Sequence, residues 1–176
     1  MFIAHAPAGY ILGSGIAERL RNLPLSAKCV IGTCLFGALA PDLDMFYFYL
    51  VDHRQTHHHK YITHWPLLWI ALLTIAGFWK AMCRKSRAAV VVVLFSFSAT
   101  IHMIMDTVVG DIWWLAPFVD KPFAAFKVQA IFRPWWLNFI LHWSFAVELA
   151  ILCWAILRFR RRSNTQLGTD SAHRSA

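Results

Sequence analysis

The chain has 176 residues, of which 59% are hydrophobic and 15% are charged, and its formal net charge is +8. This composition is too apolar for a water-soluble domain of that length and favours an integral membrane protein. The basic residues do not form a stripe interleaved with exposed aromatic residues, which argues against binding to nucleic acid.

Five apolar segments approach the length of about 20 residues that a membrane-spanning helix needs. In chain order they cover residues 2–17, 29–51, 65–83, 88–110 and 135–159. Pro7 and three glycines lower the helix propensity of the first segment, so it is expected either to span the bilayer or only to enter it. Pro41 interrupts the second segment. We predict an all-α fold, a polytopic membrane helical bundle with about four to five membrane helices.

The segments follow one another without an internal repeat or a linker long enough to separate two domains. Residues 1–162 are predicted to form a single integral membrane domain, and residues 163–176 a short polar cytoplasmic tail that is disordered. The loop over residues 111–134 is rich in tryptophan and phenylalanine, which indicates a position at the membrane interface.

Basic residues are distributed unevenly between the two ends of these segments, with eleven at one end and five at the other. The larger group is Arg19, Arg21, Lys28, Lys80, Arg84, Lys85, Arg87, Arg158, Arg160, Arg161 and Arg162. The smaller group is Arg54, Lys60, Lys121, Lys127 and Arg133. Because loops rich in lysine and arginine stay in the cytoplasm, the C-terminus is predicted to be cytoplasmic. The N-terminus, the loop over residues 53–64 and the 111–134 loop are then outside.

Ionisable side chains occur inside or near the ends of the apolar segments, where burial is costly and usually serves a function. At a helical rise of about 1.5 Å per residue, many of them lie roughly 21 to 27 Å from the cytoplasmic boundary. This layer contains His5, Asp44, His64, His102 and Asp106. Polar groups from four segments are therefore expected to meet in the outer half of the bilayer.

Two pairs of side chains have spacings that suit metal binding. His102 and Asp106 are four residues apart and project from one helix face, where they either ligate an ion or hydrogen-bond to each other. Asp42 and Asp44 follow the helix-breaking Pro41. They either meet one ion together, divide into one ligand and one orienting residue, or cap the following helix.

The stretch HRQTHHHKYITH, residues 53–64, contains five histidines in twelve positions. Such a run is typical of a solvated loop, of a metal-binding tract or of one wall of an active site. The composition of the run leaves these three interpretations open.

Three stretches resemble successive motifs of the YdjM-like family, inner-membrane proteins described as metal-dependent hydrolases. They are APDLD (40–44), HKYITHWP (59–66) and IHMIMDTVVGDIWWLAPF (101–118). The family has a histidine near the N-terminus, followed by P-D-x-D, H-R-x-x-T-H-S and H-x-x-x-D segments. In this chain Lys60 and Trp65 replace the arginine and the serine of the third motif, and His53-Arg54 offers an alternative register. A more distant similarity is to zinc-dependent phospholipase C, although the later histidine and glutamate motifs of those enzymes are not evident.

The resemblance implies a bacterial inner-membrane location and a metal site, which the charge asymmetry and the depth count place toward the outer face. The residues that it carries over as metal ligands are His5, Asp42, Asp44, His59, His64, His102 and Asp106. The residues expected to support these ligands or to face the substrate are His53, His57, His58, Lys60, Thr63 and His142. For His53, His57 and His58 a solvated loop stays the alternative. The cofactor is expected to be a divalent metal, zinc above all, as one or two ions, with manganese or iron as alternatives.

The expected reaction is metal-dependent hydrolysis of an ester or phosphoester bond in a lipid or lipid-linked substrate, because the site lies near the outer headgroups. Asp44 is the expected catalytic residue, as a proton acceptor or as a bridge between two ions. Trp113, Trp114 and Phe118 follow Asp106 in the chain and are expected to line the substrate entrance. The sequence does not indicate an oligomeric state.

Two alternatives belong to other classes of protein. The first is a membrane di-iron oxidase of the desaturase or hydroxylase type, because His53, His57 and His58 form one H-x-x-x-H-H box. Such enzymes need several boxes, and the chain has one. The second is a non-enzymatic, metal-responsive membrane protein, which a site fully closed by protein ligands would favour.

The charge asymmetry predicts the orientation of the chain in the membrane. A cysteine placed at Gln55 should react with a membrane-impermeant thiol reagent from outside the cell, and one placed at Ser163 only after the membrane is opened. The native cysteines are first replaced by serine. Labelling of position 55 from the cytoplasmic side alone would contradict an external site.

Overall fold

The computed structural model describes residues 3–20, 22–134 and 136–174, with side chains up to residue 164. Within these residues the fold is all-α, as the sequence predicts, with seven α-helices and three short 3-10 turns. The helices are α1 (His5–Arg19), α2 (Ala27–Leu39), α3 (Asp44–Leu50), α4 (Pro66–Met82), α5 (Arg87–Asp106), α6 (Trp136–Ile140) and α7 (Trp143–Arg174).

The second apolar segment is bent where the sequence places Pro41. Helix α2 begins after Ser26, whose side chain accepts a hydrogen bond from the backbone N–H of Cys29 at 3.2 Å. It ends at Leu39, because Pro41 lacks the N–H that would continue the hydrogen-bond ladder. A 3-10 turn over Pro41–Leu43 follows, and the chain continues into α3 at an angle of 54°. The bend carries both Asp42 and Asp44.

Helix length and composition give two candidate membrane crossings among the described residues. In the described part of the chain, α5 is the one helix that is long and apolar enough to cross a membrane alone, and α2 with the bent segment behind it makes a second candidate. Helix α4 is apolar but has 17 residues. The prediction of four to five membrane helices therefore stays a prediction.

The C-terminal part of the chain differs from the sequence-based prediction in two ways. The last apolar segment is divided, since α6 ends at Ile140 and α7 begins at Trp143. The tail that we predicted to be disordered instead continues α7 as far as Arg174. The segment has no proline, and each residue added to an existing helix gains one hydrogen bond, which explains the continuation.

Small residues allow the first helices to pack closely. A Cβ atom at Gly37 of α2 would lie 2.3 Å from the carbonyl oxygen of Phe95 in α5, so the two backbones nearly touch there. The Ser98 hydroxyl of α5 donates a hydrogen bond of 2.6 Å to the carbonyl of Cys34, which is buried in the same interface. Close contact through glycine and serine is typical of helices that pack inside membranes.

Large apolar side chains cover the outside of this helical core. Phe36, Leu50, Phe78 and Met82 are all strongly exposed, and Met82 reaches 85%. In water such a surface would bind a partner or aggregate, whereas in a bilayer it faces hydrocarbon. The exposed surface therefore agrees with a membrane environment.

The contact at Gly37 yields a test of this packing. Gly37→Ala should lower the free energy of unfolding by about 1–3 kcal/mol, because the new methyl group meets the backbone of α5. Gly32→Ala is the matched control on the same helix, since a Cβ atom there has no neighbour within 4 Å. Thermal unfolding in detergent measures both variants. Equal stability of the two variants would contradict the close α2–α5 contact.

Candidate metal centre

Histidine and aspartate side chains from four parts of the fold meet at one end of the helical core. His5 begins α1, and Asp42 lies on the bend between α2 and α3. The histidine-rich loop contributes side chains from its two 3-10 turns, His58–Lys60 and Ile62–His64. His102 and Asp106 come from the last turns of α5. The convergence that the depth estimate predicts is therefore present.

Four of these side chains are spaced as the ligands of one metal ion. The Asp42 Oδ1 atom lies 3.6 Å from the Nε2 atoms of both His64 and His102. The Asp106 Oδ2 atom lies 3.0 Å from His102 Nε2 and 3.9 Å from His64 Nε2. With metal–ligand distances of about 2.0–2.2 Å, the ligand atoms of a tetrahedral zinc site are roughly 3.4 Å apart. The four atoms could therefore hold an ion.

Hydrogen bonds fix the orientation of three imidazole rings. His102 Nδ1 donates to the carbonyl of Ala38 at 2.6 Å, and His59 Nδ1 donates to the carbonyl of Asp111 at 3.0 Å. His64 Nδ1 donates to the Asp44 carboxylate at 2.5 Å. With an ion bound, each ring would keep its proton on Nδ1 and present the lone pair of Nε2, as metal-bound histidines do.

The Nε2 atoms of His64 and His102 have no hydrogen-bond partner among the described residues, although both are fully buried. An unsatisfied buried nitrogen costs free energy, and in native proteins such atoms are rare. A bound cation would remove this cost at both atoms at once. Both nitrogens face the carboxylates of Asp42 and Asp106 without a well-formed hydrogen bond, an arrangement that suits a shared cation.

Asp44 contacts the opposite side of the His64 ring. Its Oδ2 atom accepts hydrogen bonds from His64 Nδ1 and, at 2.6 Å, from the Thr63 hydroxyl. It is absent from the group of four ligand atoms. Of the alternatives for the aspartate pair, the geometry favours Asp42 as the ligand and Asp44 as the residue that orients His64.

His5 and His59 flank the Asp106 carboxylate. His5 Nε2 lies 3.0 Å from Oδ1, and the His5 ring stacks on His102 with 3.7 Å between ring centroids. His59 Nε2 lies 3.8 Å from Oδ2. Gly110 makes room for His59, because a Cβ atom there would lie 2.8 Å from the His59 ring. Both histidines thus belong to the cluster, around the group of four.

His58 is closer to the cluster than the sequence suggests. Its ring centroid lies 3.9 Å from that of His59, and His58, His59 and His64 form a second group that could hold an ion. His57 lies further out, where its Nδ1 atom accepts a hydrogen bond of 3.3 Å from the backbone N–H of His59.

Protonation differs between the histidines of this loop. Burial lowers the pKa of His58 to about 4 and that of His59 to about 2, so both rings are neutral at pH 7. Burial also disfavours the charged form of His64, but the carboxylates of Asp42 and Asp44 outweigh it and raise the pKa of His64 to about 9. A metal ion at His64 would take the place of that proton.

Two of the predicted site residues lie away from the cluster. His53 is exposed at the turn after α3, where it and Arg54 both have positive φ. His142 lies at the start of α7, where its Nδ1 atom accepts from the backbone N–H of Ser144 at 3.3 Å. This contact caps the N-terminus of α7, and His142 belongs to neither group of described side chains that could hold an ion.

The predicted entrance residues have three different environments. Trp113 is buried and donates a hydrogen bond of 2.6 Å to Asp120, which also pairs with Lys60 at 3.1 Å. Trp114 is half-buried and donates to the Thr107 hydroxyl at 2.9 Å. Phe118 is 85% exposed. Lining of an entrance stays a prediction, and the Trp113 ring also contacts the histidine-rich loop, with Lys60 Nζ 5.1 Å from the ring centroid.

Sequence reasoning missed the groups that hold the ligands in place. Trp65 and Trp69 at the start of α4 donate indole hydrogen bonds to the carbonyls of Lys60 and Thr63, at 3.0 and 2.7 Å. The indole N–H group can only donate a hydrogen bond. A tryptophan beside a loop therefore predicts a hydrogen bond to a carbonyl group of that loop. The carbonyls of Ala38 and Asp111 have no such signal, because every residue carries one.

Comparison with known proteins agrees with the motifs. A family model described as YdjM inner membrane protein matches residues 1–167, a range that contains every residue of the cluster. No curated protein and no solved structure shows significant similarity to the chain. The family match confirms the resemblance seen in the three motifs and accounts for the exposed apolar surface and the candidate span α5. The chain therefore belongs to the YdjM inner membrane protein family.

Proposed function

We propose that this protein is a membrane-embedded metal-dependent hydrolase that cleaves an ester or phosphoester bond of a lipid or lipid-linked substrate. The observation that carries the proposal is the set of three imidazole rings, held through Nδ1 and directed through Nε2 toward Asp42 and Asp106. Preorganised ligands of this kind have little use in a helical core without an ion to bind.

The chain supplies the ligands and keeps them oriented. Asp42, His64, His102 and Asp106 would hold the ion, and Asp44 with Thr63 fixes the ring of His64. When bound, a divalent ion lowers the pKa of a coordinated water and polarises the scissile group. Two nitrogen and two carboxylate ligands suit zinc, with manganese or iron as alternatives.

A second ion is compatible with the neighbouring residues. His64 has one nitrogen available, because its Nδ1 is bonded to Asp44. A second ion would therefore depend on His58 and His59, which lie beside the Asp106 carboxylate. The proposal accordingly includes a centre of one or two ions.

Access to the site supports catalysis over a purely structural metal. The side chains of His64, His102 and Asp106 are at most 3% exposed, whereas that of Asp42 is 36% exposed. A structural site is closed on all sides, and a catalytic site keeps one side open to water or substrate. The exposed side of Asp42 provides that opening.

The di-iron alternative has less support. Its single histidine box needs His53 beside His57 and His58, but His53 lies at an exposed turn and belongs to neither potential ligand group.

The choice of a lipid-borne substrate rests on the location of the site near the outer headgroups. That location is inferred from the charge asymmetry of the sequence.

Substitution of the two α5 residues tests the metal site. His102→Ala and Asp106→Ala should each remove bound metal from the purified protein, measured by elemental analysis, and abolish hydrolysis of lipids extracted from the host membrane. His142→Ala is the matched control, because this histidine lies outside the cluster, and it should retain both properties. Metal content equal to the wild type in all three variants would refute the site.

A double replacement separates ligation from simple hydrogen bonding. If His102 and Asp106 only satisfied each other, changing both to leucine would leave stability unchanged or raise it. If they are ligands, the double variant loses its metal and its Tm falls, because metal binding to the folded state stabilises it. A stable, metal-replete double variant would contradict the proposal.

Activity measured in excess metal distinguishes the role of Asp44 from that of Asp42. Asp44→Asn should weaken metal binding by about 10–100-fold, and Thr63→Val should weaken it less. Both residues act through the orientation of His64. Activity of both should return when metal is in excess. Asp42→Asn should not be rescued in this way. If excess metal fails to restore Asp44→Asn, Asp44 is itself a ligand or the catalytic base.

A further inference from the structure

A cleft of about 460 Å³ opens between α1 and α7, away from the metal centre. His5 of the metal centre is at the start of α1, and the charged rim of the cleft is at the end of the same helix. Thirteen residues separate His5 from Glu18, which corresponds to roughly 20 Å along the helix axis. The cleft is therefore separate from the proposed hydrolytic site.

The walls of the cleft divide into an apolar part and a basic rim. Ile11, Leu12, Ile16 and Trp154 form the apolar part. Arg19 and Arg158 lie at the rim. A cavity of this size is within the range of about 300–1,000 Å³ that is usual for sites that bind small molecules.

One arginine of the rim is held in place by α1. Arg158 Nε donates a hydrogen bond of 2.5 Å to the buried hydroxyl of Ser14, and its guanidinium group pairs with Glu18. Two of its five N–H donors are used in this way. A guanidinium group fixed along one edge loses little entropy when its other donors bind a phosphate.

The rim carries more positive than negative charge. Arg162 also approaches Glu18, with 3.8 Å between Nη1 and Oε1. Arg19 makes no ion pair with another described residue. Two guanidinium groups thus share one carboxylate and the third has none, so the rim attracts an anion. These arginines lie where the apolar residues of α1 and α7 end. In a membrane this position corresponds to the level of the lipid headgroups.

We infer that this cleft binds an anionic glycerophospholipid. The phosphate rests on Arg19 and Arg158, and an acyl chain follows the apolar wall formed by Ile11, Ile16 and Trp154. Basic pockets between membrane helices bind lipid headgroups in this manner. Such a lipid would also cover part of the α1–α7 interface and so hold α7 against α1.

The test uses the full chain in detergent and native mass spectrometry with dioleoyl phosphatidylglycerol and dioleoyl phosphatidylcholine. The anionic lipid should bind more tightly than the zwitterionic one. Arg19→Gln should weaken phosphatidylglycerol binding roughly fivefold, the effect of one basic residue near a membrane surface. Arg133→Gln, an exposed arginine of the 111–134 loop, is the matched control and should leave binding unchanged.

A second pair of variants tests the apolar part without changing charge. A Cβ atom at Gly15 would point toward Arg158 at 3.7 Å, so Gly15→Leu fills the cleft. Gly77→Leu is the control, because no atom lies within 4 Å of a Cβ atom there. Gly15→Leu should lose phosphatidylglycerol binding at least as strongly as Arg19→Gln, and Gly77→Leu should keep it. Circular dichroism verifies that the helix content of all four variants is unchanged.

Three results would overturn the inference. They are equal binding of the two lipids, unchanged binding by Arg19→Gln and Gly15→Leu, and equally tight binding of glycerol phosphate, which lacks the acyl chains. None of these results depends on metal content or hydrolysis, so they leave the proposed function of the other site untouched.

Discussion

The Asp106 carboxylate is almost completely buried where side chains of the N-terminal helix, the histidine-rich loop and α5 meet. Imidazole nitrogens of His5, His59, His64 and His102 lie within 3.0–3.9 Å of its two oxygens. A buried charge whose partner is missing costs about 3–5 kcal/mol, and a cation held among these ligands would offset that cost. The N-terminal helix, the histidine-rich loop and α5 must therefore be in place together.

The approach of α2 to α5 makes this arrangement possible. Gly37 lets the two backbones touch, and the next residue, Ala38, then reaches His102 with its carbonyl group. Pro41 turns the chain immediately afterwards and carries Asp42 to the same ring. A run of six residues thus combines helix packing, ring orientation and one ligand.

Much of this could be predicted from the sequence, for identifiable reasons. Helical rise gives the depth of a residue, so the meeting of His5, His64, His102 and Asp106 follows from counting residues. Counting does not reveal the direction in which a side chain points or which ring nitrogen is used. The positions of Asp44 behind His64 and of His58 beside His59 depend on the path of the loop, which the indole hydrogen bonds of Trp65 and Trp69 to the carbonyls of Lys60 and Thr63 help to fix. The helical tail of α7 was mispredicted because polarity was taken as a sign of disorder.

Main-chain carbonyls orient two of the rings, and this affects which residues of the site mutagenesis can identify. Two of the three acceptors belong to the backbones of Ala38 and Asp111, and a side-chain substitution at either position leaves the acceptor in place. A systematic mutational scan would therefore find that the ligands and Asp44 are sensitive to substitution. It would not detect the two backbone carbonyls that orient His102 and His59. Those supports respond instead to changes in chain geometry, such as loss of the proline that ends α2. Pro41 itself would then emerge from such a scan as a sensitive position, although it supplies no ligand.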